Sequence, residues 1–126
     1  MFAHKKLSVW QESMEMVILV YKITADFPKS ELYGLSSQIR RSAISIPANI
    51  SEGAARGKPK EFIRFLRISS GSLSELDTHI DLAFRLNYLK SETFLSIQHK
   101  LIKISSQIFG LIKSIEGKSK KNQESC

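Results

Sequence analysis

Cysteine is almost absent from this chain: one stands in 126 residues, and it is the last, Cys126. An internal disulfide is therefore excluded, and no Cys/His cluster offers a zinc site, which fits a reducing compartment. Three prolines and six glycines exclude a collagen-like chain and a turn-rich all-β one. Long apolar runs are missing too. The longest, Met16–Tyr21, falls far short of the ~20 residues that a spanning helix needs. The opening Met-Phe-Ala-His-Lys-Lys has neither the apolar stretch nor the small-residue cleavage site of a signal peptide. A cytoplasmic protein with no membrane partner is expected. Period-2 alternation and internal repeats are both lacking. Acid is the scarcer charge: 12 Asp and Glu face 19 Lys and Arg, a net charge of +7 that favours polyanionic partners such as RNA or DNA.

What is present is helical periodicity. With 42% hydrophobic and 25% charged residues, the chain is long enough to bury one core. The first helix is predicted over Ser8 to about Asp26, with Ser8 as N-cap and Gln11 completing a capping box. It carries two apolar stripes, Leu7-Trp10-Met14-Val17-Tyr21 and Val9-Met16-Val20-Ile23-Phe27, so burial on more than one side is expected. The second runs from an N-cap near Ser36 to about Ala55, with Leu35, Ile39, Ser42, Ile46 and Ile50 inward. Pro47 lies within it, removes the amide that would bond to Ala43, and predicts a kink. The third opens at Pro59 and reaches about Asn87 along the seam Phe62-Leu66-Ser69-Leu73-Leu76-Ile80-Ala83. Its middle, Ser69-Ser70-Gly71-Ser72, is small on all sides and admits a close neighbour.

Ser91 opens the fourth helix, predicted to end near Glu116, whose seam positions are Phe94, Ile97, Leu101, Ile104, Ile108, Leu111 and Ile115. A second apolar line, Leu95-Ile102-Phe109-Ile112, points to contact with another subunit. These elements predict an all-α fold, an antiparallel up-down-up-down four-helix bundle over residues 1–116, followed by a disordered basic tail at 117–126.

Catalytic patterns are sparse. The Glu75–His79 pair shares a helix face, yet Glu-x-x-His, the unit of bundle di-iron sites, does not occur. No Ser/His/Asp, Cys/His or P-loop signature is visible, and no Arg is followed by a His four to six residues later. No metal, cofactor or catalytic residue is assigned. Asp77 and Asp81 repel at i,i+4, with Arg85 as a structural answer. The positive charge is more informative. Arg56, Lys58, Lys60, Arg64 and Arg67 fall close together with Glu61 as the one acid among them, and Lys60, Arg64 and Arg67 share one face. Arg40 and Arg41 form a further pair. Guanidinium groups grip phosphates with two parallel hydrogen bonds, so these seven residues are the candidate nucleic-acid contacts. No recognition helix or aromatic platform accompanies them, so base-specific reading has no support.

The stretch Ser45-Ile46-Pro47-Ala48-Asn49-Ile50-Ser51-Glu52-Gly53 resembles the signature of a bacterial family known as four helix bundle or intervening-sequence proteins, some encoded in inserts within large-subunit ribosomal RNA genes. Val9-Trp10-Gln11, Phe27-Pro28, Tyr33-Gly34-Leu35, Gln38-Ile39-Arg40-Arg41, Glu61 to Leu66 and Gly71 to Leu76 match its flanks, so the resemblance spans Leu7 to Ile115. It implies a four-helix bundle that assembles as a homopentamer. A related branch, the accessory variability determinant of diversity-generating retroelements, implies nucleic-acid binding and a reverse transcriptase partner. Within the signature, Pro47, Asn49, Glu52 and Gly53 are read as a structural motif. A side-chain amide such as that of Asn49, from this chain or a neighbouring copy, is the candidate to satisfy the carbonyl freed by Pro47, and Glu52 is placed to pair with Arg56 at i+4. Three functional readings stand open: an oligomeric nucleic-acid-binding scaffold without enzyme activity, a protein-interaction module, and an enzyme centred on Glu52, Glu75 and His79.

Overall fold

The computed structural model describes residues 2–125, with side chains described as far as residue 121. Four helices carry the fold: α1 (Ser8–Thr24), α2 (Leu35–Ala55), α3 (Pro59–Arg85) and α4 (Ser91–Ser125). Short 3-10 turns at Ala3–Lys6 and Lys29–Glu31 precede α1 and α2, and no strand occurs among the described residues. Consecutive helices pack together and α4 closes back onto α1, forming a four-membered ring of contacts.

The cross-links give the directions. Between α2 and α3, Arg41 meets Glu75, Ser45 meets Ser72, and Ile46 meets Ser69. Partner numbers fall as α2 advances, so the two run antiparallel. The same inversion relates α3 to α4 through Asp77–Gln98 and Arg67–Glu116, and α1 to α4 through Ser8–Gln107 and Glu12–Lys103. The expected up-down-up-down order follows.

The core is the expected seam. Ile39, Ile46 and Ile50 of α2, Leu66, Leu76 and Ile80 of α3, and Ile97, Ile104 and Ile108 of α4 are fully buried. Of the two stripes on α1, only Val9-Met16-Val20 together with Phe27 fills the core. The other is half-covered, with Met14 and Tyr21 exposed, so α1 is buried on one side of this chain rather than two.

Helix starts differ from expectation. Ser8 is the first helical residue, not the cap, because half-buried Leu7 takes the extended cap conformation with φ −73° and ψ 127°. The capping box does not form: Gln11 Nε2 instead donates 3.0 Å to the Lys5 carbonyl. Gly34, not Ser36, stands at the cap of α2, and Ser36 is buried. The acidic group there comes from upstream, since Leu35 N–H donates to Glu31 Oε1 at 3.4 Å, placing a carboxylate at the positive end of α2. At the other end of the chain α4 does not stop near Glu116. It continues through Ser125, so the disordered tail expected at 117–126 is replaced by helix over residues 117–125, and Cys126 lies outside the described residues. Lys118, Lys120 and Lys121 stand near its negative end, where cations are favoured.

The α2–α3 interface is close and polar. Ser45 Oγ and Ser72 Oγ lie 2.7 Å apart, and Ser69 Oγ donates 2.9 Å to the Ile46 carbonyl. Asn49 Nδ2 donates to the Ser45 carbonyl at 2.8 Å and to Ser45 Oγ at 3.0 Å. The Ala43 carbonyl expected as its acceptor is not the one used, because Asn49 lies on the α3 side of α2 with Ser45. The helix is continuous through buried Pro47. Close approach is set by Gly53, where an added Cβ would stand 2.7 Å from Phe65 Cβ and 3.1 Å from Phe62 Cδ1. Gly71, expected to admit a neighbour, faces open space.

Candidate nucleic-acid interface

The basic end of the bundle is built by a three-residue turn, 56–58, between α2 and α3. Gly57 takes φ +72°, a left-handed conformation that a side chain would strain. Lys58 is extended, and Pro59, already fixed near helical φ and lacking an amide, opens α3. This reversal brings Arg56, at the C-terminal cap of α2, and Arg64 of α3 to one ring: their guanidinium carbons lie 5.1 and 4.5 Å from the Phe65 centroid. Lys60 and Arg67 share the outer face of α3 with Arg64. Arg67 reaches Glu116 of α4 at 3.5 Å.

Each arginine here has an intramolecular carboxylate. Arg56 pairs with Glu52 at 2.8 Å, as its i,i+4 spacing predicts, and Arg64 with Glu61 at 3.3 Å. All of these pairs are exposed, where a salt bridge contributes ~0–1 kcal/mol, so a phosphate can displace the carboxylate at little cost. Lys58 and Lys60 have no such partner among the described residues.

The predicted contacts do not form one patch. Arg40 and Arg41 lie just over four turns from Arg56 in the direction of α2, roughly 23 Å at ~1.5 Å per residue. Arg40 Nε donates to Thr24 Oγ1 at 2.9 Å and covers the Tyr21 ring. Arg41 is held by Gln38 and by Glu75 across the α2–α3 interface. Pro47, Asn49 and Gly53 belong to the helix interface, and Glu52 to the Arg56 pair. Phe65 is the participant at the basic end that the sequence does not mark, since it reads there as one more apolar residue. Lys118 belongs to the basic tail expected at 117–126 and comes to this end because α4 continues past Glu116.

The residues of the enzyme reading do not converge. His79 Nδ1 lies 3.3 Å from Ser42 Oγ, and its Nε2 lies 4.0 Å from Glu75. Ser42 is wholly buried, however, and its hydroxyl also reaches the Gln38 and Ile39 carbonyls at 3.0 and 3.1 Å. Glu75 is engaged by Arg41, and Glu52 stands three turns further along α2. Among the described residues no group of three or more His, Cys, Asp and Glu is gathered to hold a metal, and no helix is long and apolar enough to cross a membrane.

Comparison with known proteins agrees with this architecture. No curated protein matches the chain. A crystal structure of a protein with unknown function from the S23 ribosomal protein family, from Bacteroides thetaiotaomicron VPI-5482, superposes with a TM-score of 0.74 at 28% identity, covering 83% of this chain and 98% of that one. The family model described as 23S rRNA-intervening sequence protein matches residues 5–110. With four packed helices, the Pro47–Gly53 signature at the α2–α3 interface and this match over most of its length, the chain belongs to the 23S rRNA-intervening sequence protein family.

Proposed function

We propose that this protein is a cytoplasmic, non-enzymatic oligomer that binds RNA or DNA through its basic end, as an accessory or scaffold in a nucleoprotein. The observation that carries the reading is the gathering of Arg56, Lys58, Lys60, Arg64 and Arg67 at one end of a +7 chain, beside the positive N-terminus of α3. Weak exposed ion pairs leave the guanidiniums exchangeable. Arg40 and Arg41 would contribute a second, separate contact with the strand.

Two exposed apolar surfaces support self-assembly. Tyr21, Leu32, Tyr33 and Ile44 lie together over α1 and α2, with Met14 and Ile18 further along α1. Leu95, Ile102 and Phe109 repeat every seven residues on α4, beside the α3 groove. Such different surfaces, joined head to tail, generate rings when the rotation closes. A cyclic homo-oligomer, the homopentamer implied by the family resemblance, would repeat the basic end and add weak contacts through multivalency. A reverse transcriptase or another nucleoprotein remains the candidate partner for the assembled ring.

The test is a salt titration of fluorescent RNA and duplex DNA. Binding is expected at ~50 mM salt, with a steep fall by ~200 mM. The double variant Arg64→Glu, Arg67→Glu should abolish it while helicity and assembly persist, since both side chains are exposed. A wild type that fails to bind at low salt, or a double variant that binds equally, favours the protein-interaction reading, for which the exposed Tyr33 surface is the candidate.

A further inference from the structure

A cavity of about 390 Å³ opens where the α2–α3 turn meets the extended end of α4. Its apolar lining comes from Gly53, Ala54, Pro59, Phe62 and Ile115. Lys58 and Lys118 also line it, and no acid does among the described residues. The two lysines come from segments far apart in sequence and meet only because α4 continues past Glu116. Neither has an ion pair among the described residues, whereas Arg56, Arg64 and Arg67 are all matched with carboxylates. At Gly57, also in the lining, an added Cβ would meet nothing within 4 Å. The lining thus combines an apolar floor with uncommitted cations, the pairing that suits a ligand with a flat face and an attached anion.

We propose that this cavity receives one unpaired nucleotide of a bound strand, its base against Phe62, Pro59 and Ile115 and its phosphate beside Lys58 and Lys118. The proposal rests on the nucleic-acid reading of the basic end and adds a ligand class to it. A base in a duplex is stacked and paired and cannot enter without opening the helix, so the cavity selects single strands. The lining offers no fixed set of side-chain amides or carboxylates to read base edges, so the preference is for unpaired over paired rather than for one base.

Fluorescence anisotropy at fixed salt tests this with a ~12-nucleotide single-stranded RNA, the same strand carrying abasic positions, and a duplex of the same sequence. The base-bearing single strand should bind about tenfold more tightly than the abasic strand, which carries the same phosphates. Ser119→Leu, at the cavity lining on α4, should narrow the site and reduce that preference while leaving abasic binding unchanged. Lys118→Ala should weaken both strands. Equal binding of the base-bearing and abasic strands by the wild type overturns the base pocket and leaves the phosphate-binding reading intact. Absence of binding by every probe overturns both.

Discussion

The Tyr88 hydroxyl donates a 3.0 Å hydrogen bond to Glu31 Oε2, joining the turn after α3 to the turn before α2. The same carboxylate accepts the Leu35 amide through its other oxygen, so one side chain caps α2 and anchors a residue 57 positions away. The Tyr88 ring also tilts against buried Phe27, centroids 5.3 Å apart. The hydrogen bond to Glu31, then desolvation, then the carboxylate's charge raise the phenol above its ordinary 10.0.

That shift fixes a pH dependence. A phenol held protonated in the folded state stabilises it fully below the unfolded value and loses the contribution as pH rises through the raised one. Tyr88→Phe should lower the urea midpoint by a similar amount at pH 7 and pH 9. The gap between the two proteins should close as pH rises from ~10, where the unfolded phenol ionises, through the raised value of the folded one. A gap that widens above pH ~10 contradicts the assignment.

Glycines separate two classes of helix position. Gly71→Ala should stabilise by about 0.5–1 kcal/mol, since the added methyl meets open space and the backbone entropy of glycine is removed. Gly53→Ala gains the same propensity but must push α2 from Phe65 and Phe62, for a net loss of about 1–3 kcal/mol. Chemical denaturation of both variants reads the contrast directly. Equal effects would mean that Gly53 is not the point of closest approach.

Asn49→Ala removes two hydrogen bonds to Ser45 and should cost about 1 kcal/mol, measured by urea denaturation. Because those bonds stay within α2 and join the Ser45–Ser72 link, Ser72→Ala should be less than additive with it. Full additivity separates the two contacts.

Assembly is addressed on α4. Ile102→Lys with Phe109→Lys places two charges on the exposed apolar line while leaving the buried Ile104 and Ile108 untouched. Sedimentation should then show a folded monomer, against the ring expected of the wild type. A wild type that is itself monomeric at micromolar concentration removes the basis for the ring.

The helices and their buried faces were legible because a 3.6-residue period repeated in Ile and Leu leaves little choice of inward side. Glu52–Arg56 and Asp81–Arg85 were legible for the same reason, being neighbours on one helix, at 2.8 Å each. Helix starts were not. Ser8 and Ser36 have the chemistry of caps, but Leu7 and Gly34 hold the positions because the incoming chain is fixed by core contact and by Glu31. The three-dimensional grouping of the cations depends on the turn as well as on spacing. Position along one helix separates Arg40 and Arg41 from Arg56, whereas a turn brings Arg56 and Arg64 around Phe65. The helical placement of Lys118 was not legible, because Gly117 lowers helix propensity without ending the helix.

The serine-linked approach of α2 and α3 has a consequence for how the molecule comes apart. That hairpin has a short connection, buried side-chain bonds and closely approaching backbones, whereas α1 meets α4 through the exposed Lys103–Glu12 pair and through Gln107, whose Oε1 is buried without a partner among the described residues. Local opening starts where few buried contacts are lost. In amide hydrogen exchange on the isolated chain, α1 should therefore peel from α4 and take up deuterium first, while the centres of α2 and α3 exchange together and last, as the cooperative nucleus of the bundle.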